Sequence, residues 1–485
     1  MKDLTDRLAA LSPAQRELLE ARLRKKGLTA PRSGVIRPIP GRETMEYFPA
    51  SLDQERLWFI DQMEPGNPAY NIHTSTRLFG HIDAGLMRRA VNACIARHEI
   101  LRTTFRVVDG RPVQVVAPSL EIDLPIVDLT HVPAEDREKA GQQAAIDAAA
   151  VRFDLERGPL IRVVLARLTP EDHVLMICMQ HAITDRWSFD IMEAEISQIY
   201  LALREGKKVD LPPLPIQFAD FAAWQREEMS GERLERRLDY WRRTLAGVPT
   251  VLEIPPDAPR PPVQTFTGAR EYVIYPDRLL KGLKEITQQA GATMFMTMLA
   301  GLDVLCWRYS GQRDLIIGSA IADRDRPETA GVLGYFLNML LLRATIDPSM
   351  SFRQLLAQVR ERALGAYAHQ DVPFATLVSE LRPAKDPSRT PLIQVSFIYL
   401  DFPVLATPER AGFSATSLDV DNGASRFDMT LACTEIPGTG IHSYIEYNTD
   451  IYGKPKVERM LRHLGRILEA AVAEPDRPLA ELEML

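Results

Sequence analysis

The stretch Val174-Leu175-Met176-Ile177-Cys178-Met179-Gln180-His181-Ala182-Ile183-Thr184-Asp185-Arg186-Trp187-Ser188 decides how this chain is read. The unbroken apolar run from Val174 to Met179, bounded by a polar turn, reads as a fully buried strand. The polar run after it places a histidine and an aspartate where that strand leaves the interior. A titratable side chain at such a point is held rigidly by the core and still meets a substrate. After Ser188, the residues Ile191, Ile196, Ile199 and Leu203 form a helical stripe that stops at Gly206. His181 is the leading candidate for chemistry. The competing reading is a histidine satisfied at a strand end.

Working outward, Leu160 to Leu168 reads as a neighbouring strand, joined through Thr169-Pro170-Glu171-Asp172. Leu211-Pro212-Pro213-Leu214-Pro215 is a proline-rich break. Beyond it the pattern predicts a helix over Met294 to Tyr309, strands over Asp314 to Ile321 and Ile393 to Leu400, and an amphipathic helix over Lys456 to Val472. Helices and strands alternate on both sides of the break, which predicts two α/β lobes, 43–212 and 213–485. Residues 1–42 read as a separate piece: a helix capped by Ser12, Pro13 and Gln15, with Leu18, Leu19 and Leu23 near one face and Gly27 as its stop. A proline-bearing linker follows from Ala30 to Arg42. Two roles fit that helix, a docking element for an upstream protein or a simple N-terminal cap. The last ten residues, from Asp476, are expected to be a linker to a following domain.

A chain of 485 residues is long enough for two or more cores. Its 25% charged and 46% hydrophobic residues are ordinary for a folded protein. A net charge of −7 without a basic run gives no footprint for nucleic acid or an anionic membrane surface. The start lacks a signal-peptide core and no apolar segment is long enough to span a bilayer, so a cytoplasmic protein is expected. Cys94, Cys178, Cys306 and Cys433 are far apart, form no CxxC pair, and read as buried free thiols. Neither clustered metal ligands nor a phosphate-binding glycine loop is present, so no metal or nucleotide site is expected.

Several segments together resemble the condensation domains of nonribosomal peptide synthetases. They are Ser51-Leu52-Asp53-Gln54-Glu55-Arg56-Leu57-Trp58, Arg97-His98-Glu99-Ile100-Leu101-Arg102-Thr103-Thr104-Phe105, Gln180 to Ser188, and Phe218-Ala219-Asp220-Phe221-Ala222-Ala223-Trp224. Gly334-Tyr335-Phe336-Leu337-Asn338, His369-Gln370-Asp371-Val372-Pro373-Phe374 and Asp386-Pro387-Ser388-Arg389-Thr390-Pro391-Leu392 complete the set in the family's order. Pro65 to Asn71, continuing the first motif, and Arg97 to Phe105 look most like domains that join L-configured donors and acceptors.

The resemblance implies an α/β (α+β layered) fold of two chloramphenicol acetyltransferase-like lobes, a V-shaped pseudo-dimer with a central tunnel. It implies donor and acceptor carrier proteins as partners, each threading a phosphopantetheine arm toward the active site, and a downstream adenylation domain. It implies no intrinsically bound cofactor. The expected reaction is attack of an acceptor amine on a donor thioester, giving an amide. His181 matches the catalytic histidine, as base or positioning group. Asp185 takes a structural role that needs a cation, with Arg324 from the other lobe as the candidate partner and Arg326 and Arg102 behind it. Asn338 either hydrogen-bonds a substrate carbonyl or fixes the lobe-crossing loop. Trp58, Trp187 and Trp224 read as core residues, with tunnel wall the competing role. His98 and His369 read as structural.

Two positions depart from the family's active-site run. Gln180 stands where the first histidine is usual and keeps hydrogen-bonding capacity. Arg186 stands where glycine is usual and is expected to select or gate a tethered substrate, with Trp187, Ser188 and Asn338 grouped with it as residues of the tunnel and its gate. A start at Met1 would require the donor to arrive from another polypeptide. Ester formation, a noncatalytic partner-recruiting module and a stand-alone acyltransferase using coenzyme A are the competing functions.

Overall fold

The computed structural model describes residues 35–63, 65–400, 413–418 and 420–484. The expected N-terminal helix, and the docking role assigned to residues 1–27, lie outside them. In chain order the first half comprises β1 (Phe48–Pro49), α1 (Leu52–Met63), β2 (Asn71–Gly80), α2 (Ala84–Arg97), β3 (Thr103–Val108), β4 (Arg111–Val116), β5 (Ile126–Asp128), α3 (Ala134–Ala149), β6 (Ile161–Thr169), β7 (Asp172–Gln180) and α4 (Arg186–Arg204). The second half comprises α5 (Phe218–Glu228), α6 (Gly231–Thr244), β8 (Gly268–Pro276), α7 (Asp277–Gln289), α8 (Met294–Ser310), β9 (Asp314–Ala322), β10 (Leu337–Thr345), α9 (Phe352–Ala368), α10 (Phe374–Leu381), β11 (Val395–Leu400), β12 (Phe413–Leu418), β13 (Met429–Ile436), β14 (Gly440–Asn448) and α11 (Lys454–Ala473).

Each lobe is built on one main sheet. The N-terminal sheet runs β12-β2-β7-β6-β5 and the C-terminal sheet β10-β9-β11-β13-β14-β8, with a small sheet β1-β4-β3 beside the first. β7 sits inside its sheet, antiparallel to both neighbours, and is buried from His173 to Gln180. Burial on both faces explains why its sequence is a continuous apolar run rather than an alternation. The register pairs Asn71 with Gln180 and Ile161 with Met179, so β7 delivers its last residues at one fixed edge of the N-terminal sheet.

The N-terminal core also takes in side chains from beyond the proline-rich break. Ile216, Phe218, Phe221 and Ala222 pack into it, as do Leu333, Tyr335 and Phe336 from the β9–β10 connection. β12 leaves the C-terminal lobe altogether and pairs antiparallel with β2 over Phe413↔Gly80 to Leu418↔Ser75. Phe413 and Ala415 thereby fill the N-terminal core. Gly334 makes one of these crossings possible: a β-carbon there would collide with the Phe218 ring.

The chain's final segment differs from the expected linker. Leu479 and Leu482 are buried in the C-terminal core, and the N–H of Leu479 donates to the Met350 carbonyl at 2.7 Å. Two leucines three positions apart carry that tail onto the lobe. The free cysteines are all buried, as expected.

Candidate active site

The end of β7 turns through a short 3-10 segment, His181–Ile183, before α4 begins. Two glutamines hold this turn. The Gln180 side-chain oxygen accepts the Ala182 N–H, and Gln54 of α1 donates its amide to the Ala182 carbonyl at 2.8 Å. Gln54 is itself fixed by a reciprocal cap with Ser51, whose N–H donates to Gln54 Oε1 at 2.9 Å. The opening motif thus places a rigid support directly under the His181 turn.

His181 is only 4% exposed. Its Nδ1 lies 2.8 Å from the Thr184 carbonyl. A carbonyl oxygen only accepts, so Nδ1 carries the proton and Nε2 keeps its lone pair. Burial, then the positive charges of Arg426 and Arg56, hold the imidazole well below its ordinary value. The ring is neutral near pH 7. Tyr335 meets it edge-on at 4.8 Å and accepts a hydrogen bond from Arg56 Nη2 at 3.3 Å. Burial pushes the Tyr335 hydroxyl up to about 12, so it stays protonated. Asp53, beside Arg56, is raised by burial to about 6 against the pull of that arginine.

Asp185 caps α4 and joins the lobes. Its Oδ1 accepts from the Ser188 N–H and hydroxyl, both at 2.7 Å, and from Arg324 Nη2 at 3.0 Å. Its Oδ2 accepts the Phe336 N–H at 3.1 Å. Arg324 donates its other terminal nitrogen to the carbonyls of Thr329 and Val332 and lies over the Phe336 ring at 4.1 Å. Ser188 is drawn into the same network and bridges to the Gly334 backbone. Of the other two cations weighed for Asp185, Arg326 stacks on Trp224 and Arg102 donates to the Ala117 carbonyl.

The remaining expected residues fall elsewhere. Asn338 spends its hydrogen-bonding capacity on backbone: its amide donates to the carbonyls of Gln370 and Val372, and its oxygen accepts from the N–H groups of Met339 and Phe374. It fixes the loop before α10 rather than reaching for a substrate carbonyl. Trp187 is exposed, contrary to the core reading, because the 3.6 period of α4 turns Ser188, Phe189 and Met192 inward and Arg186 and Trp187 outward. Trp58 does belong to the N-terminal core. Arg186 sits half-exposed in the first turn of α4 and pairs with Asp190 at 3.2 Å. His98, buried and bonded to Glu195 at 2.7 Å, and His369, stacked on Tyr240, are embedded in structural contacts. Arg56, Tyr335, Gln54 and Arg426 are the site residues that sequence reading did not single out. The first three lie inside motifs already quoted, and Arg426 in none of them.

A model of the Condensation domain family matches residues 45–485. The chain belongs to the condensation domain family. This condensation domain is 39% identical over 490 residues to phosphinothricin tripeptide synthetase PhsC of Streptomyces viridochromogenes, covering 100% of the chain and 44% of that protein. It is 37% identical over 452 residues to chondramide synthase cmdD of Chondromyces crocatus, covering 93% of the chain and 11% of that protein. The chain therefore spans less than half the length of these curated relatives. Its fold superposes on the X-domain from teicoplanin biosynthesis with a TM-score of 0.85 at 26% identity, covering 93% of this chain and all of that one. The two-lobed α/β architecture is that of condensation domains. No single described helix is long and apolar enough to cross a membrane.

Proposed function

We propose that this condensation domain forms an amide between a donor acyl or peptidyl thioester on one carrier protein and the amine of an aminoacyl thioester on another. The observation that carries the reading is the fixed tautomer of His181. With Nδ1–H spent on Thr184, the lone pair of Nε2 serves as proton acceptor or positions the amine. In this reading the acceptor nitrogen attacks the donor carbonyl and its proton passes to Nε2. Collapse of the tetrahedral intermediate completes the C–N bond, breaks the C–S bond, and returns the proton to the leaving thiolate. Two tethered phosphopantetheine arms meeting in a tunnel between the lobes would supply much of the rate by proximity. Asp185 and Arg324 act in support, holding α4 and the crossing loop in register.

The wider assignments belong to the same proposal. They are donor and acceptor carrier proteins, a downstream adenylation domain, upstream docking through residues 1–27, a cytoplasmic location, and no cofactor beyond the carriers' arms. Arg186 is proposed to gate a tethered substrate from the first turn of α4. An ester product, from a hydroxyl nucleophile, is the variant chemistry. One observation favours a second reading: the fold matches an X-domain that has been solved in complex with OxyB, so a partner-recruiting role fits the same architecture.

The test is a reconstituted transfer assay with loaded donor and acceptor carriers, followed by intact-protein mass spectrometry. Transfer by the parent, and a fall of at least a hundredfold in folded His181→Ala, is expected. No transfer by the parent across varied substrates would favour partner recruitment. Arg186→Gly is expected to change rate or substrate preference. Unchanged values would remove its gating role.

A further inference from the structure

A second arginine crosses between the lobes, at Ser425-Arg426-Phe427-Asp428, and lies outside the ion-pair network just described. Its backbone is pinned on both sides. The Ser425 N–H donates to the Phe266 carbonyl at 2.9 Å, Gln264 donates its amide to the Arg426 carbonyl at 2.9 Å, and Asp428 pairs with Arg260. The side chain then reaches into the N-terminal lobe. Its Nε donates to the Ala69 carbonyl at 2.9 Å and its Nη2 to the Asn71 carbonyl at 3.5 Å, with the Tyr70 ring 6.0 Å away. Asn71 opens β2 and is registered against Gln180, the residue before His181. Arg426 thus clamps the strand opening that lies against the active-site turn.

The two cross-lobe arginines differ electrostatically. The charge of Arg324 is met at close range by Asp185. Arg426 is held by neutral carbonyls, and among the described residues no carboxylate forms an ion pair with it. No anion among the described residues neutralises its charge at close range, and after burial that charge is the next largest influence holding the His181 imidazole neutral. The other groups facing the imidazole are Arg56, 3.9 Å from Asp53, the protonated Tyr335 hydroxyl, and the Thr184 carbonyl.

We propose that Arg426 is a positioning residue for His181: supplied by the C-terminal lobe, it pins the strand opening beside the turn and places a fixed positive charge near the ring, which keeps the Nε2 lone pair free. The competent histidine is then a property of both lobes held together. The inference rests on the proposed condensation chemistry for its purpose, but its physical content is independent of turnover.

The test is an NMR titration of the imidazole in the whole protein, with the His181→Ala spectrum identifying the signal. The parent ring is expected to stay neutral well below pH 6.5. Arg426→Gln is expected to raise the midpoint by several tenths of a unit to about one unit. Arg426→Lys, which keeps the charge, is expected to restore most of the difference. The acid limb of single-turnover transfer moves in the same direction. An unmoved midpoint in the folded Gln variant would overturn the proposal and leave Arg426 a purely structural clamp. Should the Gln variant not fold, Arg426→Met, which keeps the aliphatic stem, carries the same comparison. Absence of transfer by the parent bears on the condensation reading alone, because the titration needs no substrate.

Discussion

Asp185 carries more of the site's architecture than its neighbour His181. One carboxylate caps a nineteen-residue helix, fixes Ser188, receives the Phe336 N–H and neutralises Arg324, all at under 5% side-chain exposure for the ion pair. Removing either charge leaves the other buried and unpaired, which costs about 3–5 kcal/mol. Asp185→Ala and Arg324→Ala are each expected to lower stability by that amount in urea unfolding, with reduced soluble yield. The double variant should lose clearly less than the sum, because the second removal leaves no orphaned charge. Additive losses would show that the pair is not coupled. At this scale the sequence was informative where a residue sat inside a patterned run: the aspartate four positions after the histidine, and an arginine as its partner. It left two roles open for Asn338, and the backbone bonds of that side chain favour the loop-fixing one, since nothing in a linear sequence says how many backbone groups an amide side chain will be asked to satisfy. Arg426 went unnoticed because its partners, Ala69 and Asn71, are some 350 positions away and are carbonyls.

Among the elements, the crossing loop from β9 to β10 packs with no room to spare. Gly334 lies against Phe218, and its backbone holds Ser188. A methyl group there must displace either the ring or the loop, and neither neighbour is a flexible side chain. Gly334→Ala is therefore expected to cost about 2 kcal/mol or more in thermal or chemical unfolding and to weaken the Asp185 network. A shift within about 0.5 kcal/mol of the parent would show that the loop relaxes freely. Helices and strands with strong periodicity were legible within a residue or two, as for Met294–Ser310 and Asp314–Ala322. Trp187 shows the limit: its aromatic character pointed inward, while the phase of the helix, set by Ser188, Phe189 and Met192, pointed it out.

For the whole molecule, the two lobes are separate in core composition yet not separable in chain. The N-terminal core needs Phe218 and Phe221, Tyr335 and Phe336, and the β12 strand, all from beyond Pro213. Residues 43–212 expressed alone are expected to remain unfolded or aggregate, and the intact protein to melt in one calorimetric transition. Two well-resolved transitions, or a soluble N-terminal fragment with native dispersion, would show that the exchanged segments are accessories. That exchange was invisible in the sequence. A six-residue strand, Phe413–Leu418, carries no mark of which sheet it will join, and long-range pairing is decided by topology rather than local pattern.

The position of β12 also sets a timetable for synthesis. β2 and β7 are made early, but the edge of β2 that pairs with Phe413–Leu418 stays open until the ribosome has added more than two hundred further residues. At roughly 5–20 residues per second that is an interval of about ten to fifty seconds. During it, a strand edge and an apolar core face are both uncovered on the nascent chain. The same edge is open to β12 of a neighbouring copy, so crowded translation of one message favours exchange between molecules. Faster elongation, sparser ribosome loading or chaperone cover over that interval should raise the yield of monomer.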